Sequence, residues 1–358
     1  MGDTQIERQM HGADSGAEPV TPPRRTKRRV LRNWLIVLGI LIALVVIGAG
    51  TAYALLNNAY EDIQRVETID PALERPEPAP VEAEASAPIN ILLLGSDSRE
   101  ATDPDAVAED VQGFRSDAIL VAQISPDREH VTVMSIMRDN WVPIQGVGEV
   151  KINAGVSYGG IPLAVNTVEQ FIDARIDHVA LVDFESFQGL TDAVGGVTVH
   201  NDLAFTNQNG GEFSFEAGDI TLDGEQALAF VRERYAFSDG DYQRARNQQV
   251  YLQGLLSKIL SRDTLTSPSK VTDTFTALKP HLIVDQELDL PAAIGLGLEL
   301  RNLDKKNISF FTSPTLGTGT SPDGQSIVLP DWEQMVPLRE AIRAGTLDEY
   351  AASVASAE

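Results

Sequence analysis

The 358-residue chain contains no cysteine. That excludes disulfide frameworks, thiolate metal centres and cysteine nucleophiles, and it suits a chain exported without oxidative staples. Histidine is also scarce. His11, His130, His178, His200 and His281 show no metal-ligand spacing, and His130 and His178 fall in strand-like segments. There is no GxSxG elbow, no P-loop and no Rossmann glycine fingerprint. Asn207 to Gly211 is a turn-rich loop rather than a phosphate cradle. Positive charge is in short supply: the net charge is −24, and residues 1–32 hold seven Arg/Lys against four Asp/Glu, which leaves −27 for the remainder. So acidic a body repels nucleic acid, and no such partner is expected. An anionic ligand would need a local concentration of arginine working against the overall field.

Long hydrophobic runs are limited to one. No residue from Asn33 to Tyr60 is charged, and Trp34 to Leu56 is almost wholly apolar. At about 1.5 Å per residue this run crosses a hydrocarbon core of about 30 Å. Trp34, Tyr53 and Tyr60 suit the two interfaces, and Arg24-Arg25-Thr26-Lys27-Arg28-Arg29 with Arg32 precede the run. The positive-inside rule then puts the N-terminus in the cytoplasm and the rest outside, a single-pass protein of the cell membrane. Ala52-Tyr53-Ala54 resembles a signal-peptidase site, but signal h-regions run to roughly 7–15 residues, so an uncleaved anchor is the better reading. The expected organisation is a disordered basic tail (1–33), a transmembrane helix (34–56), a Pro/Ala/Glu-rich spacer (57–88), a globular domain (89–345) and a C-terminal tail (346–358). The 43% hydrophobic content supports a sizeable core.

Within the domain, INILLLG from Ile89 reads as a buried strand, DAILVAQIS from Asp117 as a second, and HVTVMSI to Ile136 as a third. Pro126-Asp127-Arg128-Glu129 supplies the turn of a hairpin between the last two. If the first strand is also antiparallel to the second, then Asp97, Arg115, Asp117, Arg138 and Asp139 all fall at one sheet edge. Helices follow at Gly160–Phe171, Asp183–Val194, from Asp223-Gly224-Glu225, and from Tyr242 to about Ser261, the last capped by Asp241. Strands HVALV and VTVH are interleaved. The fold class expected is α/β, a three-layer α/β/α sandwich with a central mixed sheet.

The last helix presents Arg244, Gln248, Tyr251 or Leu252, Leu255 and Ile259 at helical spacing. The lower part is ordinary core. Its polar top, at a helix N-terminus, marks a pocket mouth suited to an anion. Arg246 lies off that stripe and reads as solvated. Arg232 and Arg234 share a side only if the backbone between them is extended; alone, the run would read as a solvated surface.

Taken in order, LLLGSDSRE, RSDAILVAQISPD, SIMRDNWV, KINAGVSYGG, LDGEQALAFVRERY and GDYQRARNQQ resemble the successive signatures of the LytR–CpsA–Psr family, over about Ile89 to Leu260. The resemblance implies a magnesium-assisted phosphotransferase, with manganese as the substitute ion. Such an enzyme moves a phosphoglycopolymer (teichoic acid, arabinogalactan or capsule) from a polyprenyl-pyrophosphate carrier, seated in an apolar tunnel, to a peptidoglycan acceptor. Asp97 and Asp117 match the family's metal-binding aspartates. Arg115, Arg138, Arg232, Arg234 and Arg244 match its pyrophosphate-binding arginines, and Gln248 its glutamine there. Two positions depart from the pattern: Met137 stands where proline is usual, and Gly155-Val156 replaces Ala-Tyr. Asp139 is the candidate general base. Lys151 is a candidate second phosphate contact, with a plain surface lysine as the alternative. The rival functions are a non-catalytic carrier binder or envelope regulator, in which paired metal aspartates would have no task, and a pyrophosphatase, since water attacks as a sugar hydroxyl does.

Overall fold

The computed structural model describes residues 63–79, 86–96, 116–208, 213–259 and 282–356. The expected span Trp34–Leu56 and the tail before it lie outside the described residues. Among those described, no helix is long and apolar enough to cross a membrane.

In chain order the strands are β1 (Gln64–Val66), β2 (Ile89–Ser96), β3 (Ser116–Ile124), β4 (Val131–Ile136), β5 (Trp141–Ile144), β6 (Gly148–Lys151), β7 (His178–Asp183), β8 (Val197–Asn201), β9 (Phe205–Thr206), β10 (Ser214–Phe215), β11 (Gly218–Leu222), β12 (Leu282–Asp285), β13 (Ile308–Thr312), β14 (Thr315–Thr320) and β15 (Ser326–Pro330). The helices are α1 (Gly155–Ile172), α2 (Phe184–Ala193), α3 (Gly224–Arg232), α4 (Asp241–Ile259), α5 (Leu290–Glu299), α6 (Trp332–Ala344) and α7 (Leu347–Ala355). Seven strands form one mixed sheet in the order β1-β12-β7-β2-β3-β4-β13. The expected α/β class with a central mixed sheet is what the chain adopts.

Alternation along the strands divides their side chains between two apolar layers. Leu92, Leu94, Ile119, Val121, Met134 and Ile136 join residues of α1 and α6, among them Ile161, Phe171, Leu338 and Ile342. The intervening Leu93, Leu120, Ala122 and Val133 meet Leu252 of α4 and Leu296 of α5. Because helices cover both faces, β4 is buried at every position, which is why it reads as a continuous apolar run.

β2 pairs antiparallel with β3, and β3 with β4. The end of β2, the start of β3 and the end of β4 therefore share one edge, as the hairpin reading requires. β7 runs parallel to β2 and ends at the same place, with Asp183 opposite Ser96.

Helix α1 is broken by Gly159 and Gly160, the latter at φ 66°, ψ −163°. Only glycine adopts that conformation without strain. The helix proper thus starts after Gly160, with Pro162 in its first turn, as expected.

The structure differs from the expected organisation at both ends of the domain. Part of the 57–88 spacer is docked rather than free. Gln64–Val66 extend the sheet beside β12, and Ile63 is buried with Val284 and Leu290. Farther on, Arg75 Nε lies 2.9 Å from Oε2 of the buried Glu169. Asn166 and Gln170 side chains donate to the Glu74 carbonyl at 2.6 and 2.7 Å, and Arg175 Nε donates to the Pro76 carbonyl at 2.8 Å. Proline and charge suggested a free spacer; here the charge is an internal ion pair. At the other end, residues of the expected tail form α7, which buries Leu347 and Ala351.

Among the described residues, removing Arg75 would leave the Glu169 carboxylate buried with the Ile176 amide as its remaining hydrogen-bond donor. Arg75→Ala should lower the unfolding free energy by on the order of 3 kcal/mol in urea titration. Adding Glu169→Gln should recover part of that loss.

Candidate functional site

The sheet edge where β2, β3 and β4 terminate carries a backbone irregularity. Gly95 pairs with Ala118, but Ser96 pairs with Ser116, so Asp117 is the extra residue of a bulge. Bulges at sheet rims re-aim the chain next to sites. Asp97 and Arg115 lie outside the described residues, and Asp117 enters through its backbone alone.

Arg138 follows β4, Arg234 follows α3, and Arg244 sits one turn into α4. The three come from separate parts of the chain and meet at one carboxylate, that of Asp241. Arg138 Nε lies 3.3 Å from its Oδ2, Arg244 Nη2 3.3 Å from the same oxygen, and Arg234 Nη1 3.7 Å from Oδ1. One carboxylate thus gathers three guanidiniums at the N-terminus of a 19-residue helix, whose dipole also favours an anion. Arg244 is itself buried. Asp241 begins α4, as expected, but the contacts of its carboxylate are with arginines.

The course of the chain from Arg232 to Arg234 depends on the residue between them. α3 ends at Arg232 and Glu233 is extended (φ −67°, ψ 131°), the condition under which both arginines lie to one side. Glu233 is fully buried. Its Oε1 accepts the N–H groups of Arg234, Tyr235 and Ala236 at 3.0, 2.6 and 2.9 Å, and its Oε2 accepts that of Gln208 at 2.6 Å. Four backbone donors hold this carboxylate and clamp the turn that carries Arg234. Sequence reasoning missed both Glu233 and the convergence on Asp241. The only signal was an acid inside a basic run, which reads as surface.

Asp139 lies in the turn after β4, with Lys151 Nζ 3.2 Å from its Oδ1. Lys151 is thus paired with the candidate base at the same edge. Among the described residues, no three His, Asp or Glu side chains are grouped so as to hold a metal ion.

Below this polar cluster lies an apolar cavity of about 140 Å³ between the sheet and helices α2 and α4. Leu93, Leu120, Phe187, Leu190, Leu252 and Leu255 are among its walls. The Tyr251 hydroxyl lies 2.7 Å from Thr191 Oγ1, and burial pushes its pKa up to about 12, so it stays neutral. Helix α4 reaches this position because Gly254 packs against β8: a Cβ there would stand 2.5 Å from the Thr198 carbonyl oxygen. Ala118 and Gln248 line both the cavity and a small polar pocket formed with Arg138, Asp241 and Arg244. The stripe of α4 is thus polar at its top and apolar below, as its sequence indicates. Met137 joins the wall of the polar pocket. Gly155 and Val156 are not among the residues lining the cavity, and Val156 belongs to the core.

Known proteins resemble this chain over most of its length. The chain is 32% identical over 312 residues to a polyisoprenyl-teichoic acid–peptidoglycan teichoic acid transferase TagU of Enterococcus faecalis, covering 86% of this chain and 95% of that protein. It is 35% identical over 266 residues to the TagU of Bacillus cereus (strain AH820), covering 74% and 82%. The crystal structure of B. subtilis TagV superposes with a TM-score of 0.62 at 25% identity, covering 73% of this chain and 98% of that one. The LytR_cpsA_psr family model matches residues 52–343, which include the bulged strand, the turn held by Glu233 and the whole of α4. On that match the chain belongs to the LytR–CpsA–Psr family.

Proposed function

We propose that the chain is a membrane-anchored phosphotransferase that moves a phosphoglycopolymer, of teichoic-acid type by analogy with the TagU relatives, from a polyprenyl-pyrophosphate carrier to peptidoglycan. The observation that carries this reading is the junction of an arginine cluster with an apolar cavity, bridged by Gln248. A ligand with a hydrocarbon chain and a dense negative head satisfies both halves at once. The positive-inside charge pattern puts the domain outside the cytoplasm, where peptidoglycan is.

In this mechanism the arginines grip the pyrophosphate with paired N–H donors that remain charged throughout. A hydroxyl of the acceptor attacks the phosphorus that bears the glycopolymer. The new O–P bond forms as the bond to the bridging oxygen breaks, and polyprenyl phosphate departs with its charge held by Arg138, Arg234 and Arg244. Asp139 takes the hydroxyl proton, with Lys151 beside it as counter-charge. Asp97 and Asp117 suit a magnesium ion: a hard cation needs one or two carboxylates and takes its other oxygens from phosphate and water. When bound, the ion would neutralise charge on the pyrophosphate.

The arginine assignment is tested by binding of a short-chain polyprenyl pyrophosphate. Alanine at Arg115, Arg138, Arg232, Arg234 or Arg244 should each weaken it about ten- to a hundredfold, the loss of one charge-assisted contact. Arg343, which pairs with Asp173 instead, serves as control. Equal affinity across all six variants would overturn the reading.

Asp97→Ala and Asp117→Ala should each abolish metal-dependent transfer while leaving the thermal unfolding profile intact. Transfer at the unaltered rate in the double variant would remove the metal assignment.

Asp241→Asn removes a counter-charge that three arginines share. The unliganded protein should lose about 2 kcal/mol of stability, and excess inorganic pyrophosphate should raise its melting temperature more than it raises that of the unaltered protein. No difference between the two would mean that Asp241 does not hold the cluster together.

A further inference from the structure

A second and larger recess lies on a different side of α4. It is a cleft of about 460 Å³ formed by α4, β13, α6 and α7, within the roughly 300–1,000 Å³ typical of small-ligand sites. Tyr242, Arg246 and Gln249 border it at i, i+4 and i+7, whereas Asp241, Arg244 and Gln248 border the arginine pocket at i, i+3 and i+7. The two faces are set roughly a third of a turn apart around one helix. A thin apolar wall of Met137, Ala245 and Val328, with Tyr242 packed on it, stands between them. The Val328 amide donates to the Asp139 carbonyl at 2.9 Å, so the candidate base adjoins that wall.

The chemistry of the cleft is unlike that of the pocket. Its one arginine, Arg246, is paired with Asp239, and Asp331 at the rim caps α6. The cleft therefore has no excess of positive charge for a phosphate. Aromatic rings supply the apolar part: Phe311 and Tyr350 lie with centroids 5.7 Å apart, and the Tyr242 hydroxyl is 2.9 Å from Thr315 Oγ1. Arg246 and Gln334 bring exposed planar donors to the opening. Flat apolar faces beside planar hydrogen-bonding groups, with no positive charge to spare, suit a neutral sugar, whose ring has C–H faces and a rim of hydroxyls.

We propose that this cleft is the subsite for the acceptor glycan strand, an N-acetylated hexosamine polymer held there so that a hydroxyl reaches past the Met137–Val328 wall to Asp139. The proposal rests on the transferase reading for its acceptor, but the cleft's affinity for sugar is measurable without the carrier.

The experiment is calorimetric titration of the full chain in detergent with chitotetraose, a soluble N-acetylhexosamine oligomer, in the absence of carrier. The unaltered protein should bind it. Ala355→Trp, which fills the cleft from the end of α7, should weaken binding at least tenfold. So should the pair Arg246→Ala and Gln334→Ala, both exposed residues whose replacement leaves the core untouched and keeps the test open if the tryptophan variant does not fold. Affinity for short-chain polyprenyl pyrophosphate, measured on the same samples, should change by less than twofold. Failure of chitotetraose to bind, or equal affinity in the unaltered protein and the Arg246/Gln334 pair, would overturn the subsite. If chitotetraose binds as stated but the arginine variants bind carrier like the control, the subsite stands and the transferase reading falls.

Discussion

Three like charges must be kept within a few ångströms of one another, and Asp241 is the group that keeps them there. Arg138, Arg234 and Arg244 would repel strongly in a partly desolvated pocket, and Arg244 is buried. Several guanidiniums gathered at a helix N-terminus suit an incoming polyanion. Their gathering also explains how a chain with a net charge of −24 can hold an anion: the attraction is local, within a Debye length of about 8–10 Å, and the distant acidic surface is screened.

Everything around Asp241 serves its position. Helix α4 brings it to the sheet edge, and Gly254 lets α4 lie close to β8. The antiparallel β3–β4 hairpin delivers Arg138 to the same edge. The fully buried Glu233 spends its carboxylate on four backbone N–H groups, which fixes the turn bearing Arg234. A glutamine at that position could not accept as many strong bonds, because one of its two ends is a donor. The polar mouth and the apolar cavity are then two stretches of one helical stripe, divided at Gln248.

The parts legible in the sequence were those with a local pattern. Short apolar runs bounded by turn residues in β2, β3 and β4, and the i, i+4 step from Arg244 to Gln248, gave the hairpin, the shared edge and the pocket mouth. What escaped was non-local or too short. Arg138 and Asp241 are separated by about a hundred residues, and nothing in either segment names the other. β1 is three residues, Gln64-Arg65-Val66, with no apolar alternation to mark it, and it is a strand only because β12 offers a parallel edge. Arg75 reads as spacer charge until Glu169 is seen buried opposite it. Glu233 was hidden by its neighbours, since an acid between two arginines looks like a solvated run whichever way it points. The backbone donors that bury it have no signature of their own.

The strand order ties these features to one direction. Residues 64–66 form the β1 edge of the sheet, the apolar cavity lies over β2, β3 and β7 near its middle, and the aromatic cleft borders β13 at the other edge. Six inter-strand steps separate the edges, roughly 29 Å at about 4.8 Å each. Arg75, Asn166, Gln170 and Arg175 fasten residues 74–76 to α1 and the turn after it. Under the proposed function, one helix, α4, borders the cavity for the donor's hydrocarbon chain, the arginine cluster that grips its pyrophosphate and the cleft for the acceptor.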